Sequence, residues 1–197
     1  TNSETAYYLG RYCGLRINEC YGLKWDNIDI ENGTITIDRQ MQYQEGLIKL
    51  VPLKTHNAKR TIYMNDFLKK YFTNLLELKV FAEATLSAVR QQNQIFITDI
   101  DGQSISCLTL VNTTNNGKIQ TVNSMKYHTR ILKENQDISF KFHYLRHTYG
   151  TTMADMNTPT HLLCNQMGHS SVKVTEKYYI SMSKTGIEIL KDNLNKL

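Results

Sequence analysis

Six side chains of this 197-residue chain have the types and the order needed to cut and rejoin a phosphodiester. They are Arg16 in GLRINE, Lys54 in PLKTHNAKR, His143 and Arg146 in HYLRHT, His169 in MGHSS and Tyr178 in EKYY. A guanidinium stays protonated at any working pH and can bond two phosphate oxygens in parallel. A histidine can accept or donate a proton near neutral pH. A phenol, with an ordinary pKa of about 10, becomes a nucleophile when a base or hydrogen bond assists it. An ammonium can protonate the departing alcohol. The scheme grips, attacks and releases without calling on a metal or other cofactor.

Spacing sharpens this reading. Arg146 follows His143 by three residues, which puts both on nearly one face of a helix. His143 and His147 have the spacing of a zinc-protease helix, but Tyr144 stands where such helices carry Glu, and no third ligand lies nearby in sequence. Arg16 sits at a helix start with Glu19 one turn on. The pair is either an ordinary surface ion pair or a phosphate clamp with Glu19 as the acceptor behind it. Lys54 lies between two candidate strands, with Lys59 and Arg60 as close basic neighbours. Arg16, Lys54, Lys59, Arg60 and Arg146 are the expected DNA contacts. Tyr178 comes nine residues after His169, so an intervening helix would bring its hydroxyl back toward a phosphate held near the histidine. Tyr179, next door, is an alternative nucleophile.

In this order and these contexts, the motifs resemble the catalytic domain of the tyrosine recombinases, the phage integrase family. GLRINE followed by LKWDNID is similar to the surroundings of the family's first arginine. KTHNAKR is similar to the setting of its lysine, and MGHSS carries Met167 where Leu is usual. The resemblance runs from about Ala6 to Tyr179. It implies a mixed α/β fold, mainly helical with a small antiparallel three-stranded sheet. It also implies site-specific recombination of double-stranded DNA through a 3′-phosphotyrosine. Arg16, Arg146 and His169 would stabilise the transition state, Lys54 would act as general acid, and His143 would take the tyrosine proton. By the same resemblance, four protomers of the full-length protein would synapse two sites. The whole chain, residues 1–197, would then be the catalytic domain of a longer protein with an N-terminal DNA-gripping part. Its last helix, within residues 180–197, would dock on a neighbouring protomer. A type IB topoisomerase, a catalytically silent DNA-binding module and a metal-dependent nuclease remain alternatives.

The elements that must position these groups are legible as periodicities. Thr5–Cys13 reads as a helix broken at Gly14, and a second runs from Arg16 to about Gly22. Ile35–Ile37, Leu47–Val51 and Arg60–Met64 read as strands of a small antiparallel meander. Phe67, Leu68, Tyr71, Phe72, Leu75, Leu76, Val80 and Phe81 recur at helical spacing, giving a long helix to about Arg90. Gln94–Thr98 is extended, and Asn112 to Gly117 is a polar loop. Further helices are expected over Val122–Glu134, Tyr144–Met156 and Thr158–Gln166. Ser170 or Ser171 would cap the one carrying Tyr178, and Gly186–Leu197 would be the last. A net charge of +5 and a pI near 8.9 permit a nucleic-acid partner without demanding one. The four cysteines show no metal-type pairing and fit buried reduced thiols in a cytosolic protein, which the resemblance implies is bacterial. No apolar run is long enough to span a membrane.

Overall fold

In the computed structural model, residues 3–54, 58–180, 188 and 191–196 are described. Helix α1 (Glu4–Cys13) ends at Gly14, and α2 (Ile17–Gly22) follows at once. Strands β1 (Ile28–Asp29), β2 (Thr34–Ile37), β3 (Arg39–Gln44), β4 (Leu47–Pro52) and β5 (Arg60–Tyr63) come next. Then α3 (Asp66–Thr85), α4 (Ser87–Asn93), β6 (Phe96–Thr98) and β7 (Ser104–Ser106) lead to α5 (Val122–Gln136). The site-bearing helices close the fold: α6 (His143–Asp155), α7 (Thr160–Met167) and α8 (Val172–Ile180).

The expected three-stranded antiparallel sheet is present, but its membership differs from a simple meander. Its order is β1-β2-β5, with Ile35 opposite Ile62. The Leu47–Val51 candidate instead belongs to a second sheet of order β3-β4-β6-β7, in which β4 and β6 run parallel. Strand β3 escapes a periodicity reading because RQMQYQ is mostly polar. It pairs along its whole length with β4, from Arg39 opposite Pro52 to Gln44 opposite Leu47. The long helix expected to Arg90 breaks at Leu86, which caps α3 and leads into α4. Asn65 starts α3 as expected, its side chain accepting from the Leu68 N–H at 2.9 Å.

One core unites α1, α2, both sheets and α3, through Leu9, Leu15, Tyr21, Ile62 and Phe72, among others. A smaller apolar cluster of Tyr149, Leu163 and Met167, with Tyr178 and Tyr179 against it, holds α6, α7 and α8 together. The nucleophile candidate therefore sits on a helix anchored by its own patch of core. The cysteines Cys13, Cys20, Cys107 and Cys164 are buried and free. Among the described residues, no helix is long and apolar enough to cross a membrane. The expected last helix, Gly186–Leu197, falls partly outside the described residues; within it, residues 188 and 191–194 are helical.

Candidate active site

A cleft of about 540 Å³ opens between the start of α2, the β4–β5 connection, the start of α6 and the end of α7. Arg16, Lys54, His143 and Arg146 all line it, with Gly168 and Ser170 flanking His169 at its edge. Residues far apart in sequence thus converge on one concave, basic surface.

Each arginine is fixed differently. Arg146 lies one turn into α6 and is only 2 % exposed. Its Nη1 donates to the Gly14 carbonyl and its Nη2 to the Met167 carbonyl, the latter at 2.7 Å. These bonds use two of its five N–H donors, and the rest can serve an anion in the cleft. Burial and the neighbouring Arg16 lower its pKa to about 10, which leaves it a cation at neutral pH. Arg16 is more open. Its Nη1 donates to Glu19 Oε1 at 2.9 Å and its Nη2 to the Gly168 carbonyl at 3.2 Å.

Glu19 is buried beneath this pair. Its Oε2 accepts the Arg16 backbone N–H at 2.9 Å and Arg60 Nη2 at 3.0 Å. Burial alone would raise the Glu19 carboxyl, but Arg60 and Arg16 outweigh it and hold the pKa below its usual value. This placement corrects the sequence expectation for Arg60, which was grouped with the DNA contacts. Its side chain is 5 % exposed against 1 % for Glu19, and its Nε donates to the Gln166 carbonyl at 3.0 Å. A charge so enclosed has its hydrogen bonds committed inside the protein. A usable signal was available: in β5 the alternation places Arg60 and Ile62 on the same inward face. A buried Arg requires an acidic partner.

Three guanidiniums thus hold three consecutive carbonyls at the end of α7: Arg60 on Gln166, Arg146 on Met167 and Arg16 on Gly168. These carbonyls lie at the helix terminus, where acceptors lack intrahelical donors and the dipole favours cations. Gly168 itself has φ +64, and an added Cβ would stand 2.7 Å from Arg60 Nη1. Only glycine combines that backbone with that approach. The next residue is His169, whose own backbone N–H donates to the Cys164 carbonyl at 3.1 Å, so the three arginines fix the segment that leads into it.

His169 places Nδ1 2.8 Å from Thr175 Oγ1, and its ring lies parallel to that of Tyr178, with centroids 6.1 Å apart and 3° between planes. Burial, reinforced by Arg146, Arg16 and Arg60, pushes its pKa down to about 4, so the ring is neutral at pH 7. His143 faces the cleft. Partial desolvation, then Arg146, His147 and Arg16, lower its pKa too. His147, which sequence reasoning weighed only as a metal ligand, meets the Tyr178 ring edge-on at 5.3 Å. Tyr179 points elsewhere, its hydroxyl donating to the Thr158 carbonyl. Lys54 and Lys59 are exposed. Lys54 lies in the connection between the two sheets rather than in a hairpin of paired strands. Among the described residues, no cluster of three or more His, Cys, Asp or Glu could hold a metal ion.

Comparison with known proteins speaks to the family and the fold. The chain is 27% identical to a XerC-like tyrosine recombinase of Caldanaerobacter subterraneus subsp. tengcongensis, over 96% of this chain and 49% of that protein. It is similar in fold to the Tn1549 transposon integrase solved with circular intermediate DNA, with a TM-score of 0.71, 24% identity, and coverage of 98% of this chain and 59% of that one. It is likewise similar to the XerA recombinase, with a TM-score of 0.62 and 17% identity over 97% of this chain and 58% of that one. The chain therefore spans about half the length of the curated relative and less than two thirds of these solved structures. The sequence profile of the phage integrase family matches residues 2–185, and by that match the protein belongs to the phage integrase family.

Proposed function

We propose that this chain carries the strand-cleaving and strand-joining site of a DNA recombinase. The observation that carries the reading is the convergence of Arg16, Lys54, His143 and Arg146 on one cleft, with His169 at its edge and the Tyr178 ring stacked against His169. The Tyr178 oxygen attacks phosphorus in duplex DNA and its proton passes to His143. The bond to the 5′-oxygen breaks, Lys54 protonates that oxygen, and a 3′-phosphotyrosine forms. A strand hydroxyl reverses the step on either the same or another duplex. Arg16, Arg146 and the neutral His169 stabilise the charge on the non-bridging oxygens, where preorganised donors have their largest effect. Glu19 orients Arg16.

Tyr178 is favoured over Tyr179 because its ring lies against His169 and His147, whereas the Tyr179 hydroxyl is committed to Thr158. In the full-length protein we place this chain as the catalytic domain, four protomers of which bring two DNA sites together. The buried free thiols fit a reducing cytoplasm.

A nicked duplex whose cleavage releases a short strand, and so prevents rejoining, tests the reading. Mixed with the protein in EDTA and run on a denaturing gel, it should yield a covalent protein–DNA band that is absent for Tyr178→Phe. No adduct from the full-length wild type on its own element's DNA, or an adduct that survives Tyr178→Phe, would overturn it.

A further inference from the structure

We infer that Thr175 is a positioning residue that sets the tautomer of His169, donating its hydroxyl proton to Nδ1 so that Nε2 carries the hydrogen offered to the phosphate. The inference rests on the transesterification reading for its consequence, but its geometry stands alone. Thr175 is 0 % exposed, in the middle of α8. A buried hydroxyl must place its single proton on an acceptor, whereas an unfilled lone pair costs less. Helical threonines usually turn back to a carbonyl one turn earlier. Thr73 and Thr85 do so in α3, bonding the Lys69 and Phe81 carbonyls at 3.0 and 2.8 Å. Thr175 does not. Among the described residues, its hydroxyl makes one hydrogen bond, to His169 Nδ1 at 2.8 Å. The hydroxyl proton therefore belongs on that nitrogen.

A neutral imidazole has one N–H and one bare nitrogen, and the hydrogen bond at one fixes the role of the other. With Nδ1 accepting from Thr175, Nε2 is a donor. The opposite tautomer would turn a lone pair toward the oxygens of a phosphate held by Arg16 and Arg146, losing the hydrogen bond and adding repulsion. Burial and the neighbouring guanidiniums, which keep this ring uncharged, make the choice of tautomer matter, because a protonated ring would donate from both nitrogens regardless. Thr175 also lies three residues before Tyr178, on nearly the same side of α8. The bond thus couples the donor state of His169 to the docked position of the helix that carries the nucleophile.

The test uses ¹⁵N-labelled histidine in this chain, with the His169 signals assigned by their loss in His169→Asn. Wild type and Thr175→Ser should show the Nε2–H tautomer. Thr175→Val, which keeps the shape and removes the hydroxyl, should show a mixture of the two. Adduct formation on the nicked duplex should fall about 10–100-fold in Thr175→Val and stay within about threefold in Thr175→Ser, with DNA affinity unchanged in both. An Nδ1–H tautomer in the wild type would overturn the inference, as would a Thr175→Val protein with the wild-type tautomer and rate. If Thr175→Val fails to fold, the wild-type spectrum alone decides. If the wild type forms no adduct, the recombinase reading fails while the tautomer measurement still decides the role of Thr175.

Discussion

The carboxylate of Glu19 and the guanidinium of Arg60 meet at 3.0 Å in the interior, linking α2 to β5 directly beneath the cleft. Glu19 also grips Arg16, and Arg60 also grips the end of α7. One buried ion pair therefore connects Arg16, the proposed phosphate clamp, to the segment that presents His169.

Removing one member should be costly for folding and nearly silent for DNA contact. Arg60→Met leaves a buried carboxylate with Arg16 as its only cation, and breaking such a pair costs about 3–5 kcal/mol. Replacing both residues, as Glu19→Met with Arg60→Met, removes the uncompensated charge and should cost less than Arg60→Met alone. Denaturant unfolding measures this. The salt dependence of DNA binding should be unchanged in folded Arg60→Met, whereas Lys54→Ala should flatten the slope of log K against log salt by about one unit. A flattened slope in Arg60→Met would return Arg60 to the DNA surface.

Gly150 offers a way to move Tyr178, the proposed nucleophile, without touching it. It lies within α6, and a Cβ there would meet Tyr178 Cε1 at 2.7 Å and Cζ at 2.9 Å. Gly150→Ala gains up to about 1 kcal/mol in helix propensity, so the fold should tolerate it. The Tyr178 ring must shift, and a misplacement of about 1 Å in a reacting group can cost about 100-fold in rate. Adduct formation should drop by that order while the unfolding midpoint holds. Wild-type cleavage in Gly150→Ala would mean that the productive position of Tyr178 lies away from Gly150.

The sequence displays the helices and the reacting groups more clearly than it displays what holds them. Phe67 to Phe81 declare α3 by spacing alone, and the HYLRHT and MGHSS contexts single out side chains that the fold brings into one cleft or to its edge. Strand partnership is not local, so nothing in Leu47–Val51 tells that it pairs with Arg39–Gln44 rather than with Arg60–Met64. Arg60 was misplaced for a related reason. Beside Lys59 it resembles another surface base, and its partner Glu19 lies forty-one residues away. Thr175 looks like an unremarked helical polar residue until its hydroxyl is seen facing His169.

The two adjacent tyrosines should separate cleanly. Tyr178→Phe should abolish the covalent adduct and leave DNA affinity within error. Tyr179→Phe loses the bond to the Thr158 carbonyl, worth about 0.5–1.5 kcal/mol of stability, and should still form the adduct. An adduct that persists in Tyr178→Phe and vanishes in Tyr179→Phe would exchange their roles.

His169 should leave a signature in the pH dependence of stability. Its pKa is depressed from 6.5 to about 4 in the folded protein by burial and by Arg146, Arg16 and Arg60. Above pH 6.5 neither state is protonated and the group contributes no pH dependence. As pH falls from 6.5 toward 4, the unfolded chain binds a proton that the folded chain refuses, so stability declines with acid across that window. His143, lowered in the same direction, adds to the same decline. Glu19 acts at lower pH, its stabilisation being lost only as pH falls below 4.5 and through its depressed folded value. Unfolding free energies at pH 7, 6 and 5 should therefore fall more steeply for wild type than for His169→Gln, which cannot bind the proton in either state. Parallel curves for the two proteins would show that His169 titrates near its ordinary value and is not held neutral by burial and the arginines.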